Sequence, residues 1–348
     1  MLRVDPSAPD PAAIARAAEC LRDGGLVAFP TETVYGLGVH ALDRDAVRRL
    51  YAAKGRPASD PLIVHVSSRD DVHRLVSREP EIVDELARRF WPGPLTLILP
   101  RSAAVPDEIT AGLDTVAVRV PAHPVAQALI RAAGVPIAAP SANLFSRPSP
   151  TQAAHVIDDL DGRIDMVIDG GSTTVGVEST VLDVTRGTPV ILRPGGVTLD
   201  ALRAVVPGVR ASTVTGGDAA MPSPGLLEKH YSPRAPLTLY TGDMAKARAR
   251  VGSDAERLIR AEGARIGLVV YSEDRDASLA SADVLVMDLG PREHLEIAAA
   301  RLYAALRDLD RAQVDRILAL DVTGEGGLAA AIRDRLTRAA AGRVIVVK

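Results

Sequence analysis

Thr31, Glu32, Thr33 and Tyr35 put three hydroxyls and a carboxylate within five residues, directly behind the apolar run Leu26-Val27-Ala28-Phe29 and Pro30. Donors and acceptors at that density can hold a small polar molecule, and Gly36 and Gly38 behind them let a backbone come close to one. The stretch from Phe29 to Gly38 also suits a polar turn between a strand and the next element. On its own it does not separate the two readings.

Further polar groups follow at the ends of other apolar runs. Asp43 to Ala53 reads as a helix capped by Asp43, and it delivers Lys54 and Arg56 onto a loop stiffened by Pro57 and Pro61. Those cations could meet an anion or simply complement the helix dipole. The strand Leu62–Val66 carries His65. In Thr115-Val116-Ala117-Val118-Arg119 the alternation sets Thr115, Ala117 and Arg119 on one face. An arginine beside small side chains invites an anion, and an edge strand with Arg119 in water is the alternative.

Ile137-Ala138-Ala139 runs into Pro140-Ser141-Ala142-Asn143 and on through Ser146, Pro148 and Ser149 to a helix near Thr151. That composition suits phosphates and ribose, and it suits a plain connector equally. Glu178 to Asp183 alternates as a strand carrying Ser179, and Pro189 to Leu192 delivers Arg193 before Pro194-Gly195-Gly196. Thr33, Ser141, Asn143, Ser179 and Arg193 thus stand at strand ends. A mixed α/β domain with these ends on one cleft is the economical reading.

The elements that must position them fit two domains in 348 residues, of which 47% are apolar. Residues 1–210 form the first, 211–236 a Gly- and Pro-rich linker expected to close over the site, and 237–348 a small Rossmann-like α/β unit. In the last, Gly324-Glu325-Gly326-Gly327-Leu328-Ala329 fits G-x-G-x-x-A, but no acidic partner for a ribose follows it, so it reads as structural. There is no P-loop sequence.

Charge and cysteine exclude other classes. With 41 basic and 44 acidic residues and a net charge of −3, no global field draws the chain to nucleic acid or a membrane, so tight direct nucleic-acid binding is not expected. The single cysteine, Cys20, forms no internal disulfide and excludes cysteine-rich fingers. The histidines lack metal-ligand spacing, so no resident metal is expected. Met1 to Pro11 shows no signal pattern, no apolar run reaches membrane length, and a cytoplasmic location is expected.

Taken in order, Phe29-Pro30-Thr31-Glu32-Thr33-Val34-Tyr35-Gly36-Leu37-Gly38, Lys54-x-Arg56, Pro61-Leu62-Ile63-Val64-His65, Trp91-Pro92-Gly93-Pro94-Leu95-Thr96, Arg119-Val120-Pro121, Pro140-Ser141-Ala142-Asn143, Ser179-Thr180-Val181 and Leu192-Arg193-Pro194-Gly195 resemble the signatures of the two-domain threonylcarbamoyl-AMP synthases. His230-Tyr231-Ser232-Pro233 and the C-terminal unit extend the resemblance to nearly the whole chain. It implies a twisted, open mixed sheet of the YrdC-like type with a large positively charged cavity, then a linker and a Rossmann-like domain.

The resemblance implies a nucleotidyltransferase that condenses L-threonine, bicarbonate and ATP, with Mg2+, into threonylcarbamoyl-AMP and pyrophosphate. The product would pass to a tRNA threonylcarbamoyl transferase complex, which modifies the adenosine beside the anticodon. By the same resemblance, Lys54 and Arg56 serve catalysis and, with Arg193, hold the triphosphate. Thr115, Ser141, Asn143, Ser149 and Tyr231 surround the nucleotide. Thr33, His65, Arg119 and Ser179 hold threonine, Arg119 forking the α-carboxylate. Asp60 and Ala139 also fall within the ATP and threonine sites. Both depart from the family pattern, which often has asparagine and threonine or serine there. A carboxylate repels phosphate unless a metal intervenes, and Ala139 offers only its backbone. The alternatives are a carbamoyl-transfer enzyme on the same domain and an RNA-binding regulatory protein.

Overall fold

The computed structural model describes residues 1–212, 230–275 and 282–348. Met1–Phe145 with Ser149–Leu226 cluster as one unit, and Ser146–Pro148 with Leu227–Lys348 as the other. Most of the expected linker, residues 213–229, lies outside the described residues.

The first unit is a mixed sheet of β1 (Leu2–Arg3), β2 (Val27–Pro30), β3 (Tyr35–His40), β4 (Ile63–His65), β5 (Leu95–Pro100), β6 (Thr115–Arg119), β7 (Ile137–Ala138), β8 (Met166–Asp169), β9 (Thr180–Asp183), β10 (Val190–Arg193) and β11 (Arg210–Ala211). Their spatial order is β1-β8-β2-β3-β7-β4-β6-β5-β9-β10-β11. Helices α1 (Pro11–Arg22), α2 (Arg44–Lys54), α3 (Ile82–Phe90), α4 (Asp107–Thr110), α5 (Pro124–Ala133), α6 (Ala153–Leu160) and α7 (Leu199–Val205) lie between the strands in sequence. Asp43 caps α2 by accepting from the N–H groups of Asp45 and Ala46, and Gly55, at φ 63°, ends it in the left-handed conformation that favours glycine.

Strand alternation divides the sheet's faces. Leu37, Val39, Val64, Leu97, Val118, Ala138 and Leu182 belong to the main core with Val47 and Leu50 of α2, Leu86 of α3 and Val156 of α6. Each fully buried leucine or valine there contributes roughly 1.5–3 kcal/mol. On the other face, α1 and α5 bury Val27, Phe29, Ile137 and Ile168. Ile63, Ile98, Ala117 and Val181 form a small separate apolar cluster, with Leu192 packed against it. His65, Arg119 and Arg193 fall on that same face by register, opposite or two residues along from its members.

The opening stretch differs from the expected loop. Only residues 31–34 turn, because Tyr35–His40 pairs antiparallel with β2, Phe29 opposite Gly36 and Val27 opposite Gly38. A Cβ on Gly38 would come within 2.8 Å of the Phe29 ring and 2.9 Å of Ile137. Gly38 therefore makes room for neighbouring side chains of the sheet. Arg119 also departs from its solvent-edge alternative: β6 lies between β4 and β5, and Arg119 is 3% exposed.

The second unit is a parallel sheet of β12 (Leu237–Gly242), β13 (Ile266–Val270), β14 (Val284–Asp288), β15 (Arg316–Leu320) and β16 (Val344–Val347), in the order β14-β13-β15-β12-β16. Helices α8 (Met244–Glu262), α9 (Leu295–Arg311) and α10 (Ala329–Ala340) provide the crossovers that parallel strands require. This is the expected Rossmann-like architecture. Ser146–Pro148 groups with it through three ties: Arg147 pairs with Asp310 at 3.0 Å, Arg307 donates to the Pro148 carbonyl, and the Ser232 N–H donates to the Ser146 carbonyl at 2.7 Å.

Candidate active site

Arg119 is the hub of the first unit's polar face. Its Nη2 donates to Glu32 Oε1 at 2.6 Å, its Nη1 to Thr33 Oγ1 at 3.0 Å, and its Nε to the Gly93 carbonyl at 3.2 Å. Glu32 is held in turn by the Ala122 N–H at 3.0 Å, and Thr33 by a 2.8 Å hydrogen bond with Thr31 Oγ1. The turn itself is braced by residues 173–176: the Val175 and Gly176 N–H groups donate to the carbonyls of Glu32 and Thr33 at 2.8 and 3.1 Å. A guanidinium has five N–H donors and three are used here, so its fork retains two for a substrate oxygen.

His65 lies beside Arg119 in the β4–β6 register. Burial, and next the Arg119 charge, push its pKa down to about 3, so it is a neutral imidazole at ordinary pH. Its buried Nδ1 has no hydrogen-bond partner among the described residues.

Ser179 and Arg193 meet across β9 and β10. The Arg193 Nη2 donates to the Ser179 carbonyl at 3.0 Å and to Ser179 Oγ at 3.2 Å, and Ser179 Oγ shares a 2.8 Å hydrogen bond with Thr96 Oγ1. Two local features aim Arg193. The β9–β10 register shifts between Ile191 and Arg193, and a Cβ on Gly195 would strike the Glu178 carbonyl oxygen at 2.3 Å. Sequence reasoning gives Ser179 to threonine and Arg193 to the triphosphate, and the structure puts the two side chains in direct hydrogen-bond contact.

Lys54 and Arg56 hold loops. The buried Lys54 ammonium donates to the carbonyls of Ser141 and Asn143, and the Lys54 carbonyl accepts from the Phe145 N–H, which fixes the path of residues 141–145. Arg56 donates to the Asp60 and Pro61 carbonyls and pairs with the Asp60 carboxylate at 3.0 Å, both side chains being buried. Asp60 therefore neutralises Arg56, which gives this carboxylate a place beside a cation without a phosphate contact. Ser149 Oγ donates to Glu178 Oε1 at 2.5 Å.

One expected residue lies well along its strand from Arg119. Thr115 shares the face of Arg119 but is four residues away along β6, about 13 Å. Tyr231 belongs to the second unit, where it is buried at φ 59°, lies edge-on to His230 with ring centroids 4.1 Å apart and tilts against Tyr303 at 5.5 Å. The Ala139 N–H donates to the Ile63 carbonyl at 3.0 Å, so this backbone group is taken up by the sheet. Sequence reasoning counts Glu32 only among the polar groups of its stretch, without a partner, and assigns no site role to Thr96 or Glu178. Their signal was position alone, inside or beside motifs already singled out.

Among the described residues, no group of three or more His, Cys, Asp and Glu is arranged to hold a metal, and no helix is long and apolar enough to cross a membrane.

Two family models match the chain, one described as telomere recombination over residues 19–195 and one as threonylcarbamoyl-AMP synthase, C-terminal domain, over residues 197–341. Over 336 residues the chain is 47% identical to the threonylcarbamoyl-AMP synthase of Pyrococcus abyssi, covering 95% of each protein. The chain belongs to the threonylcarbamoyl-AMP synthase family. The family's Bacillus subtilis member is also 47% identical, over 95% of this chain and 94% of its own length. The crystal structure of a Pyrococcus abyssi member complexed with L-threonine matches with a TM-score of 0.92 at 44% identity, over 100% of this chain and 99% of that one. The chain is thus an enzyme, a transferase of the nucleotidyltransferase kind, and membership displaces the carbamoyl-transfer and RNA-binding alternatives.

Proposed function

We propose that the chain condenses L-threonine, bicarbonate and ATP to threonylcarbamoyl-adenylate and pyrophosphate. The carrying observation is the pairing of two buried guanidinium groups on one polar face. Arg119 is anchored by Glu32, Thr33 and Gly93, Arg193 is locked on Ser179, and Ile98 of β5 and Val181 of β9 lie on the two strands between theirs.

The chemistry asks mainly for charge management. The threonine amine adds to CO2, supplied from bicarbonate, and loses a proton to become a carbamate. A carbamate oxygen then attacks the α-phosphorus, the α–β bridging bond breaks, and pyrophosphate carries away its electron pair. The nucleophile is already an anion, so no strong base is needed. Bringing it up to the triphosphate is the obstacle. Arg119 offers its two remaining donors to the α-carboxylate, with the Thr33 hydroxyl and neutral His65 at its side. Arg193 faces the phosphate chain from the Ser179 end. Lys54 and Arg56 contribute positive potential from the loops they hold, and Ser141, Asn143 and Ser149 line the nucleotide side. Mg2+ arrives on the triphosphate as part of the substrate.

The product is read as the donor for tRNA threonylcarbamoylation by a separate transferase complex, in the cytoplasm. Pyrophosphate release tests the reaction. Omitting threonine, bicarbonate or ATP in turn should abolish it, and release that ignores threonine would remove the proposal.

A further inference from the structure

Tyr271, Asp321 and Thr241 follow or close three adjacent parallel strands, β13, β15 and β12, and extending the strand registers sets them side by side at the carboxyl edge. The chain leaves β13 toward β14 and β15 toward β16, on opposite sides. A parallel sheet opens its ligand crevice at such a divergence.

The crevice is lined by charge. Arg292 stacks over the Tyr271 ring at 4.1 Å, pairs with Asp274 and donates to the Asp321 carbonyl at 3.0 Å. Arg248 pairs with the same Asp274. Asp321 is saturated: Oδ1 accepts from the Val322 N–H at 2.7 Å, and Oδ2 from Thr241 Oγ1 and Arg333 Nε, both at 2.9 Å. Three guanidinium groups thus face two buried carboxylates. On the rim, Glu273 accepts from the Arg292 N–H, and Asp288 is held by Ser272, the Gly290 N–H and, at 3.7 Å, Arg275.

Three further observations point to an absent partner for this cluster. No side chain caps α10, which follows directly on Gly324-Glu325-Gly326-Gly327; the Ala329 N–H turns back to the Gly326 carbonyl at 3.2 Å, and the next N–H groups of the first turn follow it. Arg333 ties that loop down through the carbonyls of Val322 and Gly324 at 2.7 and 2.9 Å. Gly324 and Gly327 have positive φ, 81° and 59°, and a Cβ on either would meet open space. The independent signal is Tyr271. It is fully buried, yet its hydroxyl has no hydrogen-bond partner among the described residues. Tyr271 stands beside Asp321 in the extended β13–β15 register, with Arg292 over its ring, and burial raises its pKa well above the usual value, so the phenol is a protonated donor within the cluster.

We infer that this crevice binds a phosphate-bearing small molecule, its phosphate on the Gly324–Gly327 loop and the α10 N-terminus, with Tyr271 and the arginines as side-chain donors. The glycine run that reads as structural in the sequence becomes the phosphate cradle.

Equilibrium dialysis of the full chain against radiolabelled inorganic phosphate, pyrophosphate, AMP and ATP counts the sites directly, and it does so independently of the pyrophosphate-release assay. At least one probe should bind at a site that Gly327→Asp weakens tenfold or more while Gly327→Asn leaves it within threefold. Both side chains tolerate positive φ, so the pair isolates charge from shape. Tyr271→Phe should weaken the same site about threefold to tenfold. Binding by inorganic phosphate or pyrophosphate would make the ligand a free anion, whereas binding by AMP and ATP alone would make it a nucleotide. If no probe binds at a site sensitive to Gly327→Asp, the inference is overturned.

Discussion

Arg119 and Glu32 meet at 2.6 Å with side chains only 4% and 10% exposed, so the face proposed for threonine is built around a buried ion pair that forms before any substrate arrives. Such a pair costs desolvation, and its single-residue deletions are severe because they strand a charge.

Glu32→Ala is therefore expected to destabilise the chain by about 3–5 kcal/mol. The Glu32→Ala, Arg119→Ala double variant should lose less than the sum of the singles. Urea midpoints for the four proteins check this, and additive losses would show that the pair is not coupled.

Arg119→Lys keeps the charge and loses the fork. Threonine KM should rise tenfold to a hundredfold, the equivalent of about 1.5–3 kcal/mol for a charge-assisted hydrogen bond, with ATP KM little changed. Arg193→Lys should disturb both substrates, because its guanidinium is locked on Ser179. Steady-state kinetics with each substrate varied separates the two. An unchanged threonine KM in Arg119→Lys would contradict the carboxylate assignment.

Asp60→Asn removes the charge opposite Arg56. A lower melting temperature and a raised ATP KM are expected, with an unaltered Mg2+ midpoint, since the carboxylate is committed to Arg56. A Mg2+ titration displaced severalfold would instead make Asp60 part of the metal–nucleotide contact.

His65 gives the fold a pH dependence of definite sign. Its pKa near 3 in the fold lies below the usual 6.5, so between those values the unfolded chain binds a proton that the folded chain does not. The stability from neutral His65 is complete above about pH 6.5 and falls by about 1.4 kcal/mol per pH unit below it. His123, also shifted down by burial, adds in the same direction. Unfolding free energies from pH 7 to 5 should fall less steeply in His65→Asn than in the parent, and parallel slopes would refute the shift.

The sequence reading reached the face of Arg119 because Thr115-Val116-Ala117-Val118-Arg119 alternates cleanly, and alternation is local. It reached helix α2, because Asp43 is a local capping signal and does accept from the first-turn N–H groups of Arg44–Lys54. It read Tyr35 to Gly38 as loop, where the strand Tyr35–His40 begins, because two glycines in a strand look like punctuation until Phe29 and Ile137 are seen packing over Gly38. Glu32 as the Arg119 partner, 87 residues away, and the Thr96–Ser179–Arg193 chain depend on sheet order, which no local pattern encodes. The same holds for Lys54, whose ammonium serves carbonyls 87 and 89 residues further on.

The central claim concerns where the bicarbonate carbon goes, and mass spectrometry with 13C-bicarbonate follows it. Incubating the chain with L-threonine, ATP, Mg2+ and the labelled bicarbonate should yield threonylcarbamoyl-adenylate one mass unit heavier than the unlabelled product, with one pyrophosphate formed per adenylate and none of either without threonine. Pyrophosphate accompanied by an adenylate that carries no label, or by plain AMP with no threonine requirement, would contradict the account.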